Sequence, residues 1–430
     1  MSIPNSSAAG SGSRASLRSP RFGLLVLAFF TLSSIAMAQG NAVGESSQVI
    51  ELTMPAVTIT LNSDAEWRAP KRVEFDRQGR VLVLYRDNKK ASRDGNWHLL
   101  RVSDVLGVSP RTQSLSFAPI EEPADPDGSR KWDSAHGFLL VNDKGTLAYA
   151  VFDGDVVTRK PGPDTLNGLR NIESRGFTNA VAIDLEAFRV VVKRDISRES
   201  GFEPPIVNAD GNLLVLRTAK DSFTVTALGP ELNEQTSQVI RALEASEGRD
   251  IAACSVERID VIQCRVRNEV VRMIPYGKRN FIQLEKGWRI DGTLFPSQGD
   301  WVVAAYTMNG NGQLSDNKLW RFDNEGKSVL SSTFLGPICH QGWQASVISQ
   351  DGKSLLLSCY ETKDILDTFF PLSRADLQLF DAVALRLRAT LNLSTRPTNN
   401  YAVWHDDGKT EIAVLRDGKK LDMYRIVDPP

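Results

Sequence analysis

The sequence predicts an all-β protein, a ring of seven four-stranded antiparallel units, and three observations carry that prediction. Six short polar turns ending in glycine recur between runs of β-forming residues: FDRQGRVLVLYR (75–86), VNDKGTLAYAVF (141–152), VNADGNLLVLRT (207–218), PSQGDWVVAAYT (296–307), ISQDGKSLLLSC (348–359) and WHDDGKTEIAVL (404–415). Such a turn needs φ > 0 at one residue, which glycine supplies without a steric cost, so each marks a hairpin. The glycines Gly79, Gly145, Gly211, Gly299, Gly352 and Gly408 are separated by 66, 66, 88, 53 and 56 residues. The interval of 88 is too long for one unit and holds a seventh hairpin without its glycine, where ACSV and DVIQCRV flank a two-residue turn. Finally, the last unit is one strand short and the N-terminal region has a strand to spare.

In chain order, each hairpin is followed by further β-rich runs. WHLLRVS and QSLSFAP complete the first unit, AVAIDLEAFRVVVKRD the second and SFTVTALG the third. KLWRFDNEGKSVLSS completes the fifth and LQLFDAVALRLRATLNL the sixth. Helical periodicity is weak throughout; residues 231–246 read equally as a helix or an outer strand. Four strands in some 40–65 residues, repeated seven times, is the arithmetic of a seven-bladed β-propeller. The last unit offers YAVW, TEIAVLR and KLDMYRIV and then stops at Pro430. Its missing strand is expected from PAVTITL, where Val57, Ile59 and Leu61 alternate with Thr58 and Thr60. Pairing that strand onto the final blade closes the ring and removes open edges.

Residues 1–38 read as a signal peptide and 39–430 as a single propeller domain. Arg14, Arg18 and Arg21 precede an apolar run from Phe22 to Ala36, and Ala36-Met37-Ala38 presents small residues where a signal peptidase cuts. An uncleaved anchor is the alternative, although the run is shorter than the roughly 20 residues that span a bilayer. A secreted or periplasmic protein is expected, with no membrane span after cleavage. Loss of three arginines and no acids takes the formal charge from −1 to −4, which argues against a nucleic-acid partner. No cofactor is implied, and a monomer is expected.

Cys254, Cys264, Cys339 and Cys359 all lie in the exported part. An even count in an oxidising compartment favours disulfides, and four cysteines allow three connectivities. Each of the pairs Cys254–Cys264 and Cys339–Cys359 is symmetric about its own hairpin turn, which favours these two bridges. Buried free thiols or a zinc site are the alternatives, the latter disfavoured because tight C-x-x-C pairs are absent.

The turn-Gly-strand signature and the phrase AVAIDLEAFRVVVKRDI give residues 48–430 a resemblance to YVTN-type and WD-repeat seven-bladed propellers of the secreted bacterial kind. The Trp-Asp dipeptide that names the WD family is not found at blade ends, so the YVTN-like side is the better match. The resemblance implies architecture and is nearly silent about function, because such propellers include lactone hydrolases, electron-transfer subunits and interaction scaffolds.

With blade strands named a to d from the axis outward, the b-to-c connections share one face and the tight a-to-b turns the other. The b-to-c loops are expected to be long at about 87–96, 153–178, 308–317 and 361–375, so that face is the elaborated one. Trp67, Trp132, His136, Trp288, His340 and Trp343 fall 9 to 13 residues ahead of their turn glycines, at the start of strand a on that same face. Trp404 and His405 lie close to the opposite turns. A funnel at the ring axis lined by Trp132, His136, Trp288, His340 and Trp343 would suit a protein, carbohydrate or small-molecule partner. The bland reading places the same tryptophans between blades as packing.

Specific chemistry is sparse. G-x-S-x-G and H-E-x-x-H motifs and glycine-rich phosphate loops are absent, and no metal is expected. Residues 125–128 (DPDG) and 309–312 (NGNG) read as solvated turns rather than calcium loops, and Asp153-Gly154-Asp155 as the start of a loop. The functional expectation is therefore a binding or scaffold protein that uses the long-loop face. The alternative is a lactonase-like hydrolase in which His136, His340 and Arg68 or Arg289 act at the funnel floor.

Overall fold

The computed structural model describes residues 49–61, 72–86, 97–106, 110–118, 130–159, 172–196, 205–219, 222–241, 251–266, 269–290, 295–297, 299–308, 314–334, 338–340, 346–360, 375–393, 400–406, 408–416 and 420–427. The expected signal peptide lies outside them. Within them the secondary structure is strand and turn, with no helix. The segment open to two readings at 231–246 is an outer strand, Glu234–Arg241.

Seven sheets form, one per predicted unit. Blade 1 runs Arg72–Phe75, Val81–Arg86, Trp97–Ser103 and Arg111–Phe117; blade 2 runs Arg130–Val141, Leu147–Arg159, Ile172–Asp184 and Arg189–Asp195. Blade 3 comprises Ile206–Val207, Leu213–Ala219, Ser222–Leu228 and Glu234–Arg241. Blade 4 comprises Ile251–Arg258, Val261–Val266, Glu269–Ile274 and Gly277–Gln283, so the unit without its glycine is a complete blade. In blade 5 strand a comes in two pieces, Trp288–Ile290 and Phe295–Ser297, followed by Asp300–Met308, Leu314–Phe322 and Ser328–Phe334. Blade 6 splits strand a likewise, as Ile338–His340 and Ser346–Ile348, before Ser354–Tyr360, Ala375–Asp381 and Arg386–Asn392. Blade 7 takes Tyr401–Asp406, Lys409–Arg416 and Lys420–Val427 from the C-terminal end.

The fourth strand of blade 7 is Val57–Thr60, antiparallel to Lys420–Val427, with Val57 opposite Met423 and Ile59 opposite Leu421. Thr58 donates its hydroxyl to the Asp422 carboxylate at 2.7 Å. Asp422 is 2% exposed and also accepts from Arg416, so the closing strand enters a buried polar network as well as a ladder. A second N-terminal strand was not expected: Ile50–Leu52 adds in parallel to the outer edge of blade 6. The N-terminal segment therefore clasps two neighbouring blades.

Sequence pattern and burial agree along the radius. Strand b is covered on both sheet faces, which is why runs such as Val81–Leu84 are continuously apolar and buried. The outer strands alternate, as in Arg189–Asp195. Seven apolar clusters fill the seams between adjacent blades, including the one between blades 7 and 1 where Leu61 joins Val73, Val83 and Met423. All six turn glycines adopt positive φ, from 66° to 91°, as the hairpin reading requires. Gly326, in the c-to-d turn of blade 5, has an added constraint. Its φ is 83°, and a Cβ there would overlap the Phe281 carbonyl oxygen of blade 4.

Cys254 and Cys264 are direct cross-strand partners and form a disulfide buried in the seam toward blade 3. Cys339 and Cys359 are also direct partners in backbone register; their side chains lie outside the described residues.

Candidate functional site: the loop face and the seam between blades 4 and 5

The b-to-c connection of blade 2 is not the loop that its Asp-Gly-Asp run suggested. Leu147–Arg159 and Ile172–Asp184 continue as strands of 13 residues each, flanked by a strand a of 12 residues. Asp153, Gly154 and Asp155 pair with Thr178, Phe177 and Gly176 inside this ribbon. Strands b and c of the other blades have 6 to 9 residues. At about 3.3 Å per residue the surplus carries the ribbon some 15–20 Å farther along the strand direction. Gly154 is held by a neighbouring strand on each side, at Ser134 and Phe177, and Gly176 by its pairing with Asp155.

The five predicted site residues fall as follows. Trp132 and His136 lie on strand a of blade 2, in register with Val156 and Asp153, with a bulge between Ser134 and His136. His340 pairs with Ser358 in blade 6. The side chains of these three, and Trp343 altogether, lie outside the described residues.

Trp288 can be placed in full. It is the first residue of strand a in blade 5, half-buried, with its ring edge-on to Trp320 at 6.0 Å. Register explains the contact: Ile290, Ala305 and Lys318 form one row across strands a, b and c, and Trp288, beside Thr307, stands in the adjacent row. The small Ala305 leaves room for the indole to lie across strand b. Lys318 places its ammonium 5.2 Å from the Trp288 ring and 5.1 Å from the Trp320 ring, where both π faces attract it.

The opposite wall belongs to blade 4. Cys264 and Met273 face blade 3, so alternation turns Arg265, Val270 and Arg272 toward blade 5. Arg265 donates from Nη1 to the Ile290 carbonyl at 3.1 Å. Among the described residues neither Arg265 nor Lys318 has a carboxylate partner. The nearby Asp316 accepts from the Thr307 hydroxyl at 3.2 Å.

On the turn face the blades are laced together. His405 Nδ1 of blade 7 meets Asp351 Oδ2 of blade 6 at 2.7 Å. Trp404 stacks on Phe75 and covers Gly79 of blade 1. Burial pushes the Asp351 carboxyl up, but the Ser349 hydroxyl, the Lys353 amide and His405 outweigh it and hold the group below its ordinary value of 3.8. A carboxylate on Nδ1 fixes the imidazole tautomer, which is also how catalytic and metal-ligating histidines are oriented. Here the His405 side chain is only 10% exposed, between two blades, and the pair acts as an inter-blade latch. Among the described residues no group of three His, Cys, Asp or Glu side chains is placed to hold a metal.

Sequence reasoning passed over a set of arginines that tie blades together. Arg101, Arg194, Arg272 and Arg321 each reach a backbone carbonyl in the c-to-d turn of the next blade, at Leu185, Leu232, Asn324 and Val383. Three of the four also bond an acid or amide of their own blade: Arg101 bonds Gln113, Arg272 bonds Glu257 and Arg321 bonds Asp300. The signal was present in LLRVSD, VVRMIP and LWRFDN, an arginine at the same place near the end of strand c.

Neither a scan against protein-family profiles nor a search of curated proteins finds a match. Solved structures do match in shape. The Cps50 (Swd1) β-propeller domain of Myceliophteria thermophila aligns with TM-score 0.48 and 11% identity, over 86% of this chain and 100% of that one. The WD40 domain of coronin from Toxoplasma gondii aligns with TM-score 0.42 and 10% identity over 89% and 90%. The β-propeller domain of the Trilobed protease from Pyrococcus furiosus, described as having an open velcro topology, gives 0.42 and 10% over 84% and 93%. At these identities the likeness is one of fold. The chain is a seven-bladed β-propeller, closed on itself by the strand Val57–Thr60.

Proposed function

We propose that this chain is an exported binding protein that holds its partner on the face carrying the b-to-c connections. The observation that carries the reading is the blade 2 ribbon, three strands of 12 to 13 residues on a ring whose other b and c strands have 6 to 9. A paired ribbon presents side chains on a rigid support, which lowers the ordering cost of binding relative to a free loop. Export is supported by the arginine-flanked apolar segment before Ala38 and by the Cys254–Cys264 disulfide, a bond that persists in oxidising compartments.

The test is site-specific photo-crosslinking in the producing cell. Probes at Val157 and Ser174 on the ribbon are compared with probes at Asp210 and Glu325 on the turn face. Partner adducts from the ribbon positions are the expected result. Adducts from the turn face alone, or turnover of a lactone or ester by the purified protein, would overturn the reading.

A further inference from the structure

We propose that the loop-face end of the seam between blades 4 and 5 binds a carboxylate carried on a flat ring, with the carboxylate between Arg265 and Lys318 and the ring against Trp288. Two cations stand on facing walls of one seam, at the end where the b-to-c connections lie. Arg265 comes from strand b of blade 4 and is anchored by its bond to the Ile290 carbonyl. Lys318 comes from strand c of blade 5 and is braced by two indoles. Ile290 and Lys318 belong to one cross-strand row, their backbones two strand spacings or about 10 Å apart, so both cations are held over the same part of the blade 5 sheet.

Charge narrows the class of ligand. A half-buried ammonium with no counter-ion among the described residues is costly, and the indoles compensate only part of the lost hydration. Asp316, the acid nearest in sequence, is engaged by the Thr307 hydroxyl. A cationic ligand is excluded because the place between the two indoles is taken by the protein's own ammonium. A neutral sugar would stack on Trp288 and leave Lys318 unpaired. An anionic group supplies the missing charge, and a flat apolar ring face matches the half-exposed indole. A hexuronate sugar and an aromatic carboxylate share this chemistry. The site is distinct from the blade 2 ribbon and does not depend on it.

The experiment is isothermal titration of the whole protein with galacturonate, benzoate, galactose and inorganic phosphate in separate arms. Binding of one or both carboxylates, with at least tenfold weaker binding of galactose and phosphate, is expected. Galacturonate alone identifies a sugar site, and benzoate alone an aromatic-acid site. Lys318→Met, which keeps the apolar stem, and Trp288→Ala should each weaken the carboxylate at least tenfold, while a ribbon-trimmed protein binds it as the parent does. If Trp288→Ala does not fold, protection of Lys318 from acetylation by the bound carboxylate, read by mass spectrometry, replaces it. Equal binding of phosphate, no binding of either carboxylate, or unchanged affinity in Lys318→Met would overturn the proposal. Loss of ribbon crosslinks with carboxylate binding intact would count against the proposed function alone.

Discussion

Removing the closing strand is the most informative perturbation, because its contribution can be built from named contacts. A chain that begins after Leu61 loses the short Ile50–Leu52 strand on blade 6 and, at the closing strand itself, a 7%-exposed leucine and the half-buried Val57 and Ile59. Full burial of such side chains is worth about 1.5–3 kcal/mol each, and half-burial about half as much. The Thr58 hydroxyl on Asp422 adds about 1.5–3 kcal/mol as a bond to a charged group. Leu421 and Met423, both 0% exposed, become an open edge. Against this, freeing the five residues from Val57 to Leu61 returns about 1–2 kcal/mol each in chain entropy. With Leu421 and Met423 each losing up to about 1.5–3 kcal/mol of burial at that edge, the net loss is at most about 3–5 kcal/mol, a large share of the ~5–15 kcal/mol that folded domains possess. The assay is a thermal melt of the truncated protein with and without a synthetic peptide spanning residues 49–62, which carries both N-terminal strands. The truncation should melt well below the parent and recover with the peptide. An unchanged melting temperature would refute the reasoning.

Other predictions follow from single contacts. Non-reducing peptide mapping should find Cys339 linked to Cys359 beside the Cys254–Cys264 bridge, because the second pair has the same direct cross-strand register; a Cys254–Cys339 link would exclude this. Loss of either bridge should cost about 2–3 kcal/mol and leave the ring folded. The Asp351 carboxyl titrates below 3.8 in the folded protein, so its stabilisation is fully present above the unfolded value and is lost as pH falls through the folded one. Asp351→Asn should therefore lower stability at neutral pH and flatten its decline below about pH 4, read by urea denaturation across pH. Gly326→Ala should destabilise by several kcal/mol, because the Cβ overlaps the Phe281 carbonyl and φ is 83°; a variant within about 0.5 kcal/mol of the parent, the range of ordinary surface substitutions, would contradict that contact.

What the sequence made legible was local and periodic. Glycine at a tight turn is demanded by backbone geometry, so six of the seven a-to-b hairpins could be read directly. The blade 4 hairpin survived loss of its glycine because the apolar runs on either side remained. The closing strand showed through the alternation of Val57, Ile59 and Leu61. Ile50–Leu52 did not, since three residues pairing in parallel leave no period to detect. Asp153-Gly154-Asp155 carried turn chemistry, yet strands on both sides pull it into the ribbon, a tertiary override of local preference. At the site, the position of Trp288 at the start of strand a was legible. Its contacts with Lys318 and Trp320 were not, because they arise from register across a split strand and from the smallness of Ala305. The Asp351–His405 latch joins residues 54 apart in sequence, and only the ring geometry brings them together.

Closure of the ring by its own N-terminal strand underlies the whole account, since it fixes the number of blades, their order and both faces. Thr60 and Lys420 are the Cα partners at the end of that ladder. Combining Thr60→Cys with Lys420→Cys and oxidising the purified protein should give a peptide that links positions 60 and 420, released by reductant. A protein in which these two positions stay unlinked, or in which the thiol introduced at position 60 joins a partner in another blade, would contradict the closed seven-bladed ring.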